Sequence, residues 1–166
     1  MFGTGFCKRQ DNINMCGLIA IFGQYGAASS PDLLKPALQQ MHNRGPDAEG
    51  LWSEENCAMG HRRLAIMDLD PRAQQPMHSA CGRYVIVFNG EIYNFRDLRS
   101  QLVASGVAFR TTSDTEVILE LFAQQGEAML PRLRGMFAFV IWDRVAKRAF
   151  AARDPYGIKP LFVAQT

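Results

Sequence analysis

The sequence lacks most of what would mark a membrane, secreted or nucleic-acid-binding protein. No apolar run approaches the roughly 18 residues that a transmembrane helix needs. The first residues, MFGTGFCKRQDNIN, hold no apolar core of the kind a signal peptide carries. Neither sign of charge dominates: 18 Lys and Arg stand against 16 Asp and Glu, a net of +2, and the basic residues are scattered apart from small groups such as Arg62-Arg63. Such a balance does not build the field that nucleic acid or an acidic lipid surface requires. There are 3 histidines (His42, His61, His78) and 4 cysteines (Cys7, Cys16, Cys57, Cys81), with no CxxC pair and no clustering of the histidines with the cysteines. That spacing argues against a zinc site and against a disulfide framework. Repeats and low-complexity tracts are absent too. A cytoplasmic protein without metal, membrane or nucleic-acid partner is the expectation.

What is present is an ordinary globular balance, 48% hydrophobic and 20% charged over 166 residues, enough for one domain with a core of its own. Residues 1–14 are polar and aperiodic and read as a disordered extension or leader. GLIAIF (17–22) is almost wholly apolar and predicts a strand covered on both faces. Ser30-Pro31-Asp32 begins a helix, with Ser30 as cap and Pro31 in its first turn; Leu34, Leu38 and Met41 continue it as far as Gly45-Pro46. Strand-like runs follow at 57–67 and 84–88. A helix over 95–105 carries Leu98 and Leu102 on one face. Ser113-Asp114-Thr115-Glu116 is a capping box before the apolar run VILELF, in a helix ending near Gly126. Two more strands, 137–142 and 149–153, are joined by the turn DRVAK. Strands that follow one another without intervening helices predict an α+β domain with antiparallel sheets.

Taken singly, the chemically interesting residues have plain structural readings. Cys16 at the head of an apolar strand suits a core thiol, as do Cys57 and Cys81. Asn89-Gly90 after YVIVF is a hairpin-turn signal. Arg63 suits any surface carboxylate, and Asp114 the start of a helix. Their order along the chain says more: MCG (15–17), RGPD (44–47), HRRLAIMD (61–68), FNGEIYN (88–94), TSDTEVIL (112–119), LRGMFAFVIWD (133–143) and ARDPYGIKPLF (152–162). This ordered set resembles the class II glutamine amidotransferase domain, the N-terminal nucleophile glutaminase. Within that class RGPD, HRRL, NGEIYN and SDTE are most similar to the glutaminase domain of glutamine-dependent asparagine synthetases. The resemblance spans Met15 to Phe162.

The resemblance implies a four-layer αββα sandwich of two antiparallel sheets between helices. It implies that glutamine is hydrolysed to glutamate and ammonia through a thioester on Cys16. The α-amino group of an N-terminal cysteine would be the base, since such an amine titrates near 7.7–8.0. The Asn89 side-chain amide and the Gly90 N–H would stabilise the oxyanion, a contribution of about 100- to 1000-fold per donor. Arg63 would hold the α-carboxylate of glutamine. Asp114 would hold its α-ammonium, with Glu91 and the backbone of Ile66 and Met67 completing the pocket. His61 is expected to be structural, and Arg153 and Asp154 structural or part of a domain interface. Arg44 and Asp47 would fix their loop. No cofactor is implied for this domain, because ATP and magnesium would belong to a synthetase domain that the chain does not carry.

Two departures from the family pattern bear on activity. The Cys16 nitrogen is in a peptide bond with Met15, and an amide nitrogen is no base. Either Met15 is the true start and is removed, or a leader is cleaved off, or the extension stays and the module is silent. Second, the sequence stops at PLFVAQT, where the family continues with an Ala-Ser-Glu strand and further sheet. A truncated sandwich of this kind would leave an edge for a synthetase domain, a partner chain or a second copy to cover. Two other readings remain: a catalytically silent module for glutamine sensing or partner binding, and a cysteine hydrolase of a different amide that would not need Arg63 and Asp114.

Overall fold

The computed structural model describes residues 15–23, 30–64 and 71–165. The extension expected over 1–14, and the positions of Ile66 and Met67, lie outside the described residues.

Two antiparallel sheets form. The first is ordered β1 (Gly17–Phe22), β3 (Cys57–Arg63), β2 (Ala48–Glu54). The second is ordered β4 (Met77–His78), β5 (Tyr84–Ile92), β6 (Gly135–Asp143), β7 (Arg148–Arg153). The helices are α1 (Lys35–Gln40), α2 (Phe95–Ala104) and α3 (Asp114–Gln125).

The pleat of these strands sorts the apolar residues into three interfaces. Ile19 and Ile21 of β1 and Ala58 of β3 meet Leu34 and Leu38 at α1. Leu18 and Ala20 face the other way, and with Cys57 and Met59 they meet Val85, Val87, Val140 and Trp142 of the second sheet. Ile86, Phe88, Phe139 and Ile141 line the far face of that sheet, under Leu98 and Leu102 of α2 and Val117, Ile118 and Leu121 of α3. Helix on sheet, sheet on sheet and sheet on helix make the four layers of an αββα sandwich. No helix among the described residues is long and apolar enough to cross a membrane.

Several boundaries differ from the sequence reading. The helix expected from Ser30 begins as a 3-10 turn, Pro31–Leu33, with Asp32 N–H donating to the Ser30 hydroxyl at 3.3 Å, and its α-helical part ends at Gln40. β2 had no clear alternation in AEGLWSE and was not anticipated. β3 ends at Arg63, earlier than the expected 67. Asn89-Gly90 does not turn the chain: β5 runs on through it to Ile92. The DRVAK hairpin forms as expected, with Asp143 Oδ1 accepting from the N–H groups of Val145 and Ala146, both at 3.0 Å. Ser113 caps α3 by accepting from Glu116 N–H at 3.3 Å. The Glu116 side chain does not return the bond. Its carboxylate takes the N–H groups of Arg110 and Thr111 instead, at 2.9 and 2.7 Å.

Candidate active site

The register of the first sheet builds one wall of a cavity. Gly17 pairs with Arg62, which carries Cys16 to the level of Arg63 and Leu64. The Leu64 N–H donates to Cys16 Sγ at 3.3 Å. Burial pushes the Cys16 thiol above its ordinary range, against the pull of the Leu64 N–H and the charges of Arg63 and Lys159.

The facing wall is the end of β5. Asn89, Gly90 and Glu91 line the cavity here, with Asn89 buried at 6% exposure. Gly90 is required by packing: a Cβ at this position would lie 2.2 Å from the Met136 carbonyl oxygen of β6. The floor is the first turn of α3. Asp114 Oδ2 accepts the Ile92 N–H at 3.0 Å. Burial raises the Asp114 carboxyl to about 6, outweighing the backbone donors, and the Glu91 charge adds to the rise.

The cavity has a volume of about 140 Å³. Engineered cavities of about 150 Å³ take a benzene-sized molecule, so the space admits a small organic group. Cys16, Arg63, Asn89, Gly90, Glu91 and Asp114 all line it. They come from the residue before β1 and from β3, β5 and α3, four separate parts of the chain. Ile66 and Met67 lie outside the described residues.

Three residues that sequence reasoning did not assign also belong here. Gln75 Oε1 accepts the Phe88 N–H at 2.6 Å while its Nε2 donates to Thr115 Oγ1 at 3.3 Å, so one buried amide ties the neighbour of Asn89 to the neighbour of Asp114. Lys159 reaches the cavity and its Nζ donates to Met15 Sδ at 2.9 Å. Met15 itself lines the cavity beside Cys16. Lys159 lay in the ARDPYGIKPLF word; Gln75 lay in no quoted word at all.

His61 sits behind the site at 1% exposure, with its Nε2 donating to the Phe88 carbonyl at 3.0 Å. Burial lowers it to about 4, so it is a neutral structural donor. Cys57 is in the core between the sheets and burial pushes its thiol up to about 12. Among the described residues no group of three or more His, Cys, Asp or Glu is gathered to hold a metal ion.

Comparison with known proteins finds a match to the glutamine amidotransferase domain over residues 15–166. Asparagine synthetase [glutamine-hydrolyzing] 1 of Bacillus subtilis is 42% identical over 151 residues, covering 89% of this chain and 24% of that protein. Asparagine synthetase [glutamine-hydrolyzing] 3 of the same organism is 44% identical over 126 residues, 74% of this chain and 20% of that protein. The chain therefore spans a quarter or less of the length of these relatives. Among solved structures, glutamine phosphoribosylpyrophosphate amidotransferase from B. subtilis, complexed with ADP and GMP, superposes with a TM-score of 0.69 at 23% identity, over 88% of this chain and 38% of that one. That likeness is one of fold.

Proposed function

Because the chain belongs to the family of glutamine amidotransferase domains, we propose that it hydrolyses glutamine to glutamate and ammonia at Cys16. The observation that carries the reading is the convergence of Cys16, Arg63, Asn89, Gly90, Glu91 and Asp114 on one cavity of about 140 Å³. With Met15 removed, the Cys16 α-amine accepts the thiol proton, and the thiolate attacks the side-chain amide carbon of glutamine. The oxygen of that amide takes up the negative charge beside Asn89 and Gly90. The carbon–nitrogen bond then breaks. The α-ammonium returns its proton to the leaving nitrogen, and ammonia departs from a γ-glutamyl thioester. Water attacks the thioester carbonyl and releases glutamate and the thiol. Arg63 and Asp114, of opposite charge, suit the two ends of a free amino acid, so glutamine within a peptide is excluded.

The ammonia is passed to an acceptor. The relatives are named as asparagine synthetases, and on that ground we assign the acceptor reaction to an asparagine synthetase-type partner, a further domain or a separate chain, where ATP and magnesium would act.

A second reading has its own observation. Met15 lines the cavity and is hydrogen-bonded to Lys159, so a chain that keeps Met15 has no free amine and a narrower pocket. Such a chain would bind glutamine or a partner without turning glutamine over. Ammonia release by protein whose N-terminus is verified by mass decides between them. Processed protein beginning at Cys16 should release ammonia and lose that activity on Cys16→Ala while still binding glutamine. Processed protein with no ammonia release rejects the enzyme reading.

A further inference from the structure

The turn formed by DPYGIKP lies in a quoted sequence word, ARDPYGIKPLF, to which the chemistry above gives no task. Its anchor is Asp154, 1% exposed. The Asp154 carboxylate accepts the N–H groups of Phe137, Tyr156, Ile158 and Lys159 at 3.2, 3.1, 2.9 and 3.0 Å. Burial alone would raise this carboxyl, but the four donors win and hold it below the usual range. Gly157 makes the turn in the left-handed region at φ 64°, its N–H donating to the Asp154 carbonyl at 3.0 Å. A turn so tightly pinned has one inward-facing product: Lys159, 7% exposed and aimed into the cavity that holds Cys16.

The partner of Lys159 there is unusual. Its Nζ donates to the Met15 sulfur, and a thioether is a weak acceptor. An ammonium this deeply buried is costly without an anion or strong acceptors around it. Met15 is also the residue whose carbonyl is bonded to the Cys16 nitrogen. The Lys159 charge therefore stands within one side chain's length of the nitrogen that becomes the α-amine once Met15 leaves.

We propose that Lys159 is a positioning residue for the Cys16 end, its ammonium disfavouring the doubly protonated form (α-ammonium with thiol) that has neither base nor nucleophile. The inference rests on the reading of Cys16 as an N-terminal nucleophile. The α-amine and the thiol lie on one residue and titrate as a pair, and a fixed cation beside them lowers both steps. Among the described residues the other charged groups facing this end are Arg63 from β3, Glu91 from β5 and Asp114 from α3, with neutral His61 behind. Arg63 and Lys159 thus offset two carboxylates that pull the other way. Without Lys159 one cation remains against two carboxylates. A unit charge at side-chain range in a partly buried site shifts a titration by about one pH unit.

The test takes processed protein, its N-terminus verified as Cys16 by mass, and follows alkylation of Cys16 by iodoacetamide against pH, read on the N-terminal peptide. The same pH series is run for kcat/KM on glutamine. In Lys159→Met the acid-limb midpoint should rise by about one unit in both series, and Lys159→Arg should stay within a few tenths of wild type. An unmoved midpoint in a Lys159→Met protein of wild-type melting temperature overturns the proposal, and so does an equal shift in Lys159→Arg. Should Lys159→Met fail to fold, Lys159→Gln, which removes the charge but keeps a polar head, takes its place, and an unmoved midpoint there overturns the proposal equally. Alkylation needs no turnover. A shifted midpoint without ammonia release therefore sinks the glutaminase reading alone, and normal ammonia release with an unmoved midpoint sinks the Lys159 proposal alone.

Discussion

Asp114 is tied to the strand it faces: its Oδ2 accepts the Ile92 N–H at 3.0 Å, one residue beyond Glu91. The bond leaves the carboxylate in the cavity but desolvated, which is why its carboxyl sits at about 6. Below that pH it is neutral and a poor partner for the ammonium of an amino acid. KM for glutamine should therefore climb as pH falls through 6, roughly tenfold per unit, with kcat changing less. Asp114→Asn should raise KM at neutral pH by about 10- to 150-fold, the equivalent of about 1.5–3 kcal/mol for a charged hydrogen bond, and should flatten the climb. Steady-state kinetics between pH 5 and 8 checks both; a KM that climbs equally in the Asn variant would exclude Asp114 as the titrating group.

The same carboxyl and His61 make opposing contributions to stability. The folded pKa of Asp114 is raised from 3.8 to about 6, so its stabilising effect is present in acid and is lost as pH rises toward 6. The folded pKa of His61 is lowered from 6.5 to about 4. The unfolded chain takes up that proton first, and stability is lost as pH falls from 6.5 toward 4. Each is worth about 3 kcal/mol at 1.36 kcal/mol per unit. Urea midpoints measured relative to wild type should then diverge between pH 4 and 6.5. His61→Gln should gain stability on acidification, and Asp114→Asn should lose it. Parallel curves for the two variants would reject the assignment.

The sequence made β1, β3, β5, β6, β7 and the capping of α3 legible because their cause is local, while β2 and β4 were not anticipated. The continuous apolar run in 137–142 and the Ser113 cap each rest on residues a few positions apart. The position of Asn89-Gly90 was not legible in this way. Locally the pair reads as a turn, and only its pairing with Ala138 and Phe137 across β6 keeps it extended. The cavity residues were named through the order of seven motifs, while their meeting depends on register between β1 and β3 and on the approach of two sheets. Gln75 and Lys159 were missed for the same reason. A glutamine before proline and a lysine in a loop carry no periodic signal, and their roles appear only when Phe88, Thr115 and Met15 are beside them.

Gln75 offers a test of how far the site depends on such distant support. Gln75→Met keeps the volume but leaves the Phe88 N–H without its acceptor and Thr115 Oγ1 without its donor. A buried N–H so abandoned costs about 1–3 kcal/mol. Phe88 adjoins Asn89 and Thr115 adjoins Asp114, so kcat/KM should fall as well. Gln75→Glu keeps an acceptor for Phe88, and the Thr115 hydroxyl is free to turn and donate, so its thermal midpoint should lie between those of Gln75→Met and wild type. Equal melting temperatures for Gln75→Met and wild type would show that the bridge does not bear on stability.

Gly90 sets a steric limit on the same strand. A methyl added there would fall 2.2 Å from the Met136 carbonyl oxygen and 2.7 Å from Phe137 Cα, both backbone atoms that cannot rotate away. Gly90→Ala must part β5 from β6 or shift Asn89, and overpacking of this kind costs about 1–3 kcal/mol or more. A displacement of about 1 Å at a reacting group is worth about 100-fold in rate, so ammonia release should fall by at least that factor even where the variant folds. Gly106→Ala is the matched control. Its backbone is left-handed, at φ 93°, yet a Cβ there meets nothing within 4 Å. It should lose about 1–2 kcal/mol to backbone strain and keep its kcat. If both variants lose stability alike and both remain active, the close approach of β5 to β6 at Gly90 is not what holds Asn89 in place.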